Sequence, residues 1–148
     1  MLNQAYFDAI NTLVHECQSV KGLDLPKPIS VYCTAILADK LDKPLWEPQP
    51  TWAERYLTMR TARDAKELGD TALWAVGICP AYLTRRGMNR SYYVQIGQGA
   101  YSKAADELNQ ELYTQLSTHF LYISEFLKIC VSIQQDYIPV AKSTVSST

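Results

Sequence analysis

Residues Leu68 to Tyr101 read LGDTALWAVGICPAYLTRRGMNRSYYVQIGQGAY. They hold five of the six glycines and four of the ten tyrosines of a 148-residue chain, with no acidic residue between Asp70 and Asp106. A glycine inside a helix costs about 1 kcal/mol against alanine. Several of them among apolar residues therefore imply that another segment approaches closely. The spacing predicts that Gly69 and Gly77 on one helix face Gly97, Ala100 and Ala104 on another. A rival interpretation, a nucleotide loop at the Gly97-x-Gly99 pair, lacks the third glycine and the preceding strand that a dinucleotide fingerprint requires.

The neighbouring residues extend the helical pattern. Leu73, Trp74, Val76, Gly77 and Ile78 are apolar on nearly all sides, as in a central helix covered by its neighbours. Pro80 ends that helix or begins a short turn after it. At Gly69 and Asp70 two options stand: a glycine stop followed by an aspartate cap, or one helix running through with glycine on a crowded face. Ser91 is the expected cap of the next helix, and Asn109 breaks it from a last long helix. The buried row of that helix is Leu112, Leu116, His119 or Phe120, Ile123, Leu127, Cys130 and Val131.

Upstream, Leu2, Tyr6, Ile10, Leu13 and Cys17 form one helix face, which Lys21 and Gly22 terminate. Ile29, Cys33, Ile36, Leu37 and Leu41 form a second. The segment DKPLWEPQP, with three prolines, reads as a loop in which Trp46 pins the chain to the body. Thr51-Trp-Ala-Glu54 is a capping box that starts a helix expected to reach Leu68. The tail VAKSTVSST after Pro139 lacks bulky residues and is expected to fray. No segment alternates with period two. The expected architecture is an all-α, single-domain bundle of five to seven helices over residues 1–138, with residues 139–148 as tail.

Composition limits the function classes. A hydrophobic content of 47% and a charged content of 20% are ordinary for a soluble globular domain. The net charge of -1 gives no general attraction to nucleic acid or an anionic membrane. No apolar run approaches the roughly 20 residues of a spanning helix. The N-terminus lacks the pattern of a signal peptide, so a cytoplasmic location is expected. Cys17, Cys33, Cys79 and Cys130 are far apart in the chain and are expected to be buried, reduced thiols.

The pattern in LGDTALWAVGICPAYLTRRG followed by SYYVQIGQGAY resembles one found in a group of bacterial helical proteins: LGD, an apolar run with glycine, L-x-R-R, then YY, a glycine and AY. The resemblance covers Leu68 to Tyr101. It implies a bacterial, helical, single-domain protein and carries over no catalytic residue.

Charge is segregated along the chain. Arg85, Arg86, Arg90 and Lys103 give residues 71–105 a charge of +4, whereas Asp106, Glu107, Glu111, Glu125 and Asp136 against Lys128 give residues 104–141 a charge of -4. Arginine forks suit carboxylate or phosphate, so Arg85, Arg86 and Arg90, with Tyr82 beside them, are the expected anion- or partner-binding residues. The competing interpretation is a solvated loop whose arginines pair with the acidic last helix. A second constellation, Asp70, Tyr93, Tyr101 and Arg63, is the expected lining of an internal ligand pocket if one exists; alternatively Asp70 simply caps a helix. His15 and Cys17, two apart on a helix, point to different sides and are poor joint ligands. A His15–His119 metal or haem site is the weaker alternative to two ordinary histidines.

Together these features predict a non-enzymatic adaptor or assembly subunit that binds a protein partner, or a second copy of itself, through the basic loop. No catalytic residue, metal or cofactor is expected, and no nucleic acid. The alternative is a helical protein, or enzyme, enclosing a small ligand near Asp70 and Tyr93.

Overall fold

The computed structural model describes residues 4–41, 51–87 and 89–134. The expected loop around Trp46, the tail after Pro139 and the first apolar position, Leu2, lie outside these residues. Among the described residues there are eight helices and no strand: α1 (Gln4–Lys21), α2 (Lys27–Lys40), α3 (Trp52–Thr58), α4 (Ala62–Gly77), α5 (Pro80–Arg86), α6 (Arg90–Ala105), α7 (Gln110–Thr118) and α8 (Phe120–Gln134). The all-α class follows the periodicity, but the helix number exceeds the five to seven expected.

The additional breaks have local causes. The helix begun at Thr51, whose hydroxyl accepts from the Glu54 amide at 3.1 Å, stops at Thr58. Met59 is extended, its carbonyl accepts from Lys103 Nζ at 3.0 Å, and Thr61 caps a new helix by accepting from the Asp64 amide at 3.1 Å. Between α7 and α8 the Ser117 carbonyl accepts from Gln98 Nε2 at 3.1 Å while the Ser117 hydroxyl donates to the Gln98 carbonyl at 2.8 Å. That pairing ends the helix at His119, where the axis bends by 79°. Among the described residues no single helix is long and apolar enough to cross a membrane, although α7 and α8 pass the test of length and composition as a bent pair.

Other boundaries follow the expected chemistry or shift by a residue or two. Gly22 adopts φ +65° just after Lys21. Pro80 opens α5 rather than lying in a turn. Asn89, not Ser91, caps α6, its side chain accepting from the Ser91 amide at 2.8 Å. Asn109 caps α7 through the Leu112 amide at 3.1 Å. Gly69 and Asp70 lie inside α4, so the chain takes the second of its two options there.

The chain groups into two compact units, Met1–Pro44 with Glu125–Thr148, and Leu45–Ser124, with the residues of α8 divided between them. In the first unit α1 packs on α2, burying Ile10, Leu13 and Val14 of α1 and Ile29, Ile36 and Leu37 of α2. Gln18 fastens the connection, donating to Ser30 Oγ at 3.0 Å and accepting from the Leu25 amide at 3.2 Å. In the second unit α4 is the central helix. Leu68 to Gly77 are buried without interruption, and the most extensive partner of α4 is α6.

The glycines explain that packing, though differently from expectation. Gly69 and Gly77 do not face Gly97. A Cβ at Gly69 would lie 2.7 Å from the Tyr101 ring, and one at Gly97 would overlap the Phe120 ring and lie 3.0 Å from Ala72 Cβ. Gly99 seats Tyr56 in the same way, so the GxG pair receives side chains rather than a phosphate. Rings fill the space that the missing side chains leave. Only Gly77 meets backbone, where an added Cβ would lie 2.7 Å from the Ser124 carbonyl oxygen and 3.2 Å from its Cα.

A ring edge can tilt, but a helical carbonyl cannot. Gly77→Ala is therefore expected to lose about 1–3 kcal/mol by overpacking, offset by at most about 1 kcal/mol of helix propensity. Urea unfolding of the variant should show a lower midpoint with an unchanged slope. A midpoint at or above that of the wild type would mean the two backbones are not in contact.

Candidate functional site

The basic residues occupy the connection between α5 and α6. Gly87 caps α5 at φ +68°, its amide donating to the Leu83 and Thr84 carbonyls, both at 3.2 Å. Two residues on, Asn89 starts α6. Arg85 and Arg86 in the last turn of α5 and Arg90 at the first position of α6 are exposed. Cations favour the C-terminal end of a helix, as at Arg85 and Arg86. Arg90 instead adds its charge to the positive end of α6, so the three arginines and the α6 end contribute positive potential at the turn while the α5 end partly offsets it.

Beneath this turn lies an aromatic cluster. Tyr93 is fully buried and meets Trp52 edge to face at a centroid distance of 5.1 Å, Tyr92 at 5.1 Å and Tyr82 at 6.2 Å. Trp52 Nε1 donates to the Tyr82 hydroxyl at 2.7 Å. Tyr82, expected at the binding surface beside the arginines, is instead buried and is part of their foundation. The Tyr93 hydroxyl is buried beside the Arg86 guanidinium. Burial pushes its phenol above the usual tyrosine range and nearby Tyr82 adds to this, while the Arg86 guanidinium opposes it.

The four residues expected to line an internal pocket do not form one group. Arg63 is exposed rather than turned inward, and Tyr93 belongs to the aromatic cluster just described. Asp70 and Tyr101 do meet. The fully buried Tyr101 donates to Asp70 Oδ1 at 2.7 Å, and Lys66 Nζ donates to Oδ2 at 2.8 Å. Asp70 is inside α4, so it caps nothing. Burial pulls the Lys66 amine down, but the Asp70 charge and hydrogen bond outweigh that and raise it above the ordinary lysine value. Lys66 was not singled out in the sequence, although its i,i+4 spacing from Asp70 was visible there.

Three of the cysteines come together in the first unit, a cluster that separations of 16 and 97 residues along the chain conceal. Cys17, Cys33 and Cys130 are fully buried and unbridged. The Cys130 thiol donates to the Cys17 sulfur, and Cys33 lies within electrostatic reach of both. Burial pushes the Cys33 thiol up to about 12, with a contribution from Cys17. It raises Cys17 and Cys130 as well. Burial likewise takes Cys79 up to about 11 against the lowering effect of Arg85 and Trp74. A thiol held protonated is a poor nucleophile and a poor metal ligand. His15 and His119 are both exposed, and among the described residues no group of three His, Cys, Asp or Glu side chains is placed to hold a metal ion.

Comparison with protein-family models, with curated proteins and with solved structures finds no significant match to this chain. The resemblance of Leu68 to Tyr101 thus remains one of sequence pattern, and the functional reading rests on the geometry of the α5–α6 turn.

Proposed function

We propose that this protein is a non-enzymatic helical adaptor that holds an acidic segment of a protein partner on the α5–α6 turn. One observation carries the reading: three exposed arginines lie at the facing ends of two capped helices, α5 and α6, which pack on buried aromatic rings. Arginine on a rigid support loses little freedom when its fork engages a carboxylate. The concentration of positive charge favours encounter with an acidic surface. The internal polar groups support the same reading from the other side. Tyr101 and Lys66 both donate to Asp70, so its two carboxylate oxygens are engaged within the fold.

The test is charge reversal. Arg85→Glu combined with Arg86→Glu, both at exposed positions, should leave the far-ultraviolet circular dichroism unchanged and lower the melting temperature only slightly, because two cations leave a helix C-terminus that favours them. It should remove partners that the wild-type protein retains from native lysate at low ionic strength and releases at high salt. If the folded double variant retained every such partner, the turn would not be the binding surface.

A further inference from the structure

Cys17, Cys33 and Cys130 belong to the first unit and have no part in the α5–α6 turn. They come from three helices, α1, α2 and α8, and all three side chains are fully buried. Two of them are in direct contact: the Cys130 thiol donates to the Cys17 sulfur, whereas Cys33 acts on each only through its charge. A thiol is a weak donor and a weak acceptor, so the packing here gains little from that hydrogen bond, and two small alkyl side chains would fill the same volume. What a pair of touching thiols can do, and alkyl groups cannot, is form a covalent bond.

We propose that Cys17 and Cys130 are a redox pair, which a low-molecular-weight disulfide converts into a bridge joining α1 to α8. The Cys17 thiolate attacks one sulfur of the small disulfide; that S–S bond breaks, and one small thiolate leaves and takes up the proton that Cys17 lost. The Cys130 thiolate then attacks the Cys17 sulfur, the internal S–S bond forms, and the second small molecule leaves as its thiol with the proton from Cys130. The protein gives up two electrons and the small disulfide takes them. Cys17 attacks first because Lys21, one turn further along α1, favours its thiolate. Cys33, which lacks the direct contact, stays reduced. Burial opposes ionisation of all three thiols, so the closed fold reacts slowly and the exchange runs through transient opening of the first unit. Once formed, the bridge closes a loop of about 110 residues and constrains the unfolded chain far more than the folded one, in which the sulfurs already meet. The folded unit favours the bridge, and the bridge favours folding, by the same factor.

The test brings wild-type protein to equilibrium in mixtures of reduced and oxidised glutathione, with urea below the unfolding transition to permit opening. Remaining thiols are then alkylated and each cysteine is mapped by mass spectrometry. The most oxidising mixtures should give one internal bridge, Cys17 to Cys130, with Cys33 alkylated and Cys79, in the second unit, alkylated or carrying glutathione. Freed of urea, the bridged protein should melt about 10 °C above the reduced protein. Cys33→Ala should form the same bridge. A bridge from Cys33 to either neighbour, glutathione still attached to Cys17 or Cys130 at equilibrium, or both thiols reduced in every mixture would overturn the pair. So would a bridged protein that melts no higher than the reduced one. Each of those results leaves the adaptor surface standing, because no cysteine of the first unit lies in it.

Discussion

Raising the pH above 9 under reducing conditions is expected to destabilise this protein steeply, through the thiols of its first unit. Cys17, Cys33 and Cys130 are fully buried, and each has its pKa raised from an unfolded value of 9.0, Cys33 to about 12. Below pH 9 both states keep these protons and the thiols contribute no pH dependence. Above it the unfolded chain releases them while the folded one retains them, so stability falls as pH rises through the interval up to the folded values. Each such thiol removes about 1.4 kcal/mol per pH unit. Two or three acting together would exhaust most of an ordinary domain stability of about 5–15 kcal/mol within a few units. Urea unfolding from pH 8 to 11 measures the slope. Cys33→Ala should lower that slope by one proton's worth, whatever constant loss its small cavity adds, and this difference isolates the thiol from tyrosines and lysines titrating in the same range. A slope identical in wild type and variant would mean that Cys33 does not keep its proton in the fold.

That expectation rests on a cluster the sequence does not reveal, and the reason is general. Helical periodicity records which face of one helix is buried, as it does for Ile10, Leu13 and Cys17 on α1 and for Cys33 and Leu37 on α2. It carries no information on which buried faces meet, so three thiols on three helices read as three isolated residues. The glycines teach the same lesson. Their density in Leu68 to Tyr101 marks close packing, but what fills the space is a ring at Gly69, Gly97 and Gly99 and a backbone only at Gly77. A gap in one element does not specify the shape that enters it. Boundaries with a local side-chain signal were legible, as at Thr51, Gly22 and Asn109. Thr61 with Asp64 carries the same signal and was masked by the continuous charged pattern around it. The break at His119 depends on Gln98 nineteen residues before Ser117, which no local pattern records. At the candidate site the exposed arginines were legible as a charge cluster. The place of Tyr93 was not, because the rings around it come from α3 and α5, far from it in the chain.

Replacing Asp70 by alanine is expected to cost about 2–4 kcal/mol, the largest loss from any single polar residue of the second unit. Asp70 is 4% exposed and Tyr101 is fully buried. The 2.7 Å bond between them is charge-assisted and shielded from water, where such a bond contributes about 1.5–3 kcal/mol and an orphaned hydroxyl costs about 1–3. The Lys66 bridge adds little, because its side chain is 36% exposed and can turn to solvent when its partner is lost. Tyr101→Phe should cost less than Asp70→Ala, since Lys66 still accompanies the carboxylate. In the double variant no hydroxyl is left unpaired, so the loss should fall short of the sum of the singles by about 1 kcal/mol or more. Asp70→Asn keeps an acceptor oxygen without the charge and should fall between wild type and alanine. Denaturant unfolding of these four proteins measures the coupling. Strict additivity, or an alanine variant within about 0.5 kcal/mol of wild type, would show that the carboxylate does not hold the tyrosine. The same set bears on function: folded Asp70→Asn should retain from native lysate the partners that the wild type does, because the acid acts on the fold alone. Loss of binding in that variant, at unchanged stability, would move the functional site from the α5–α6 turn to the interior of α4.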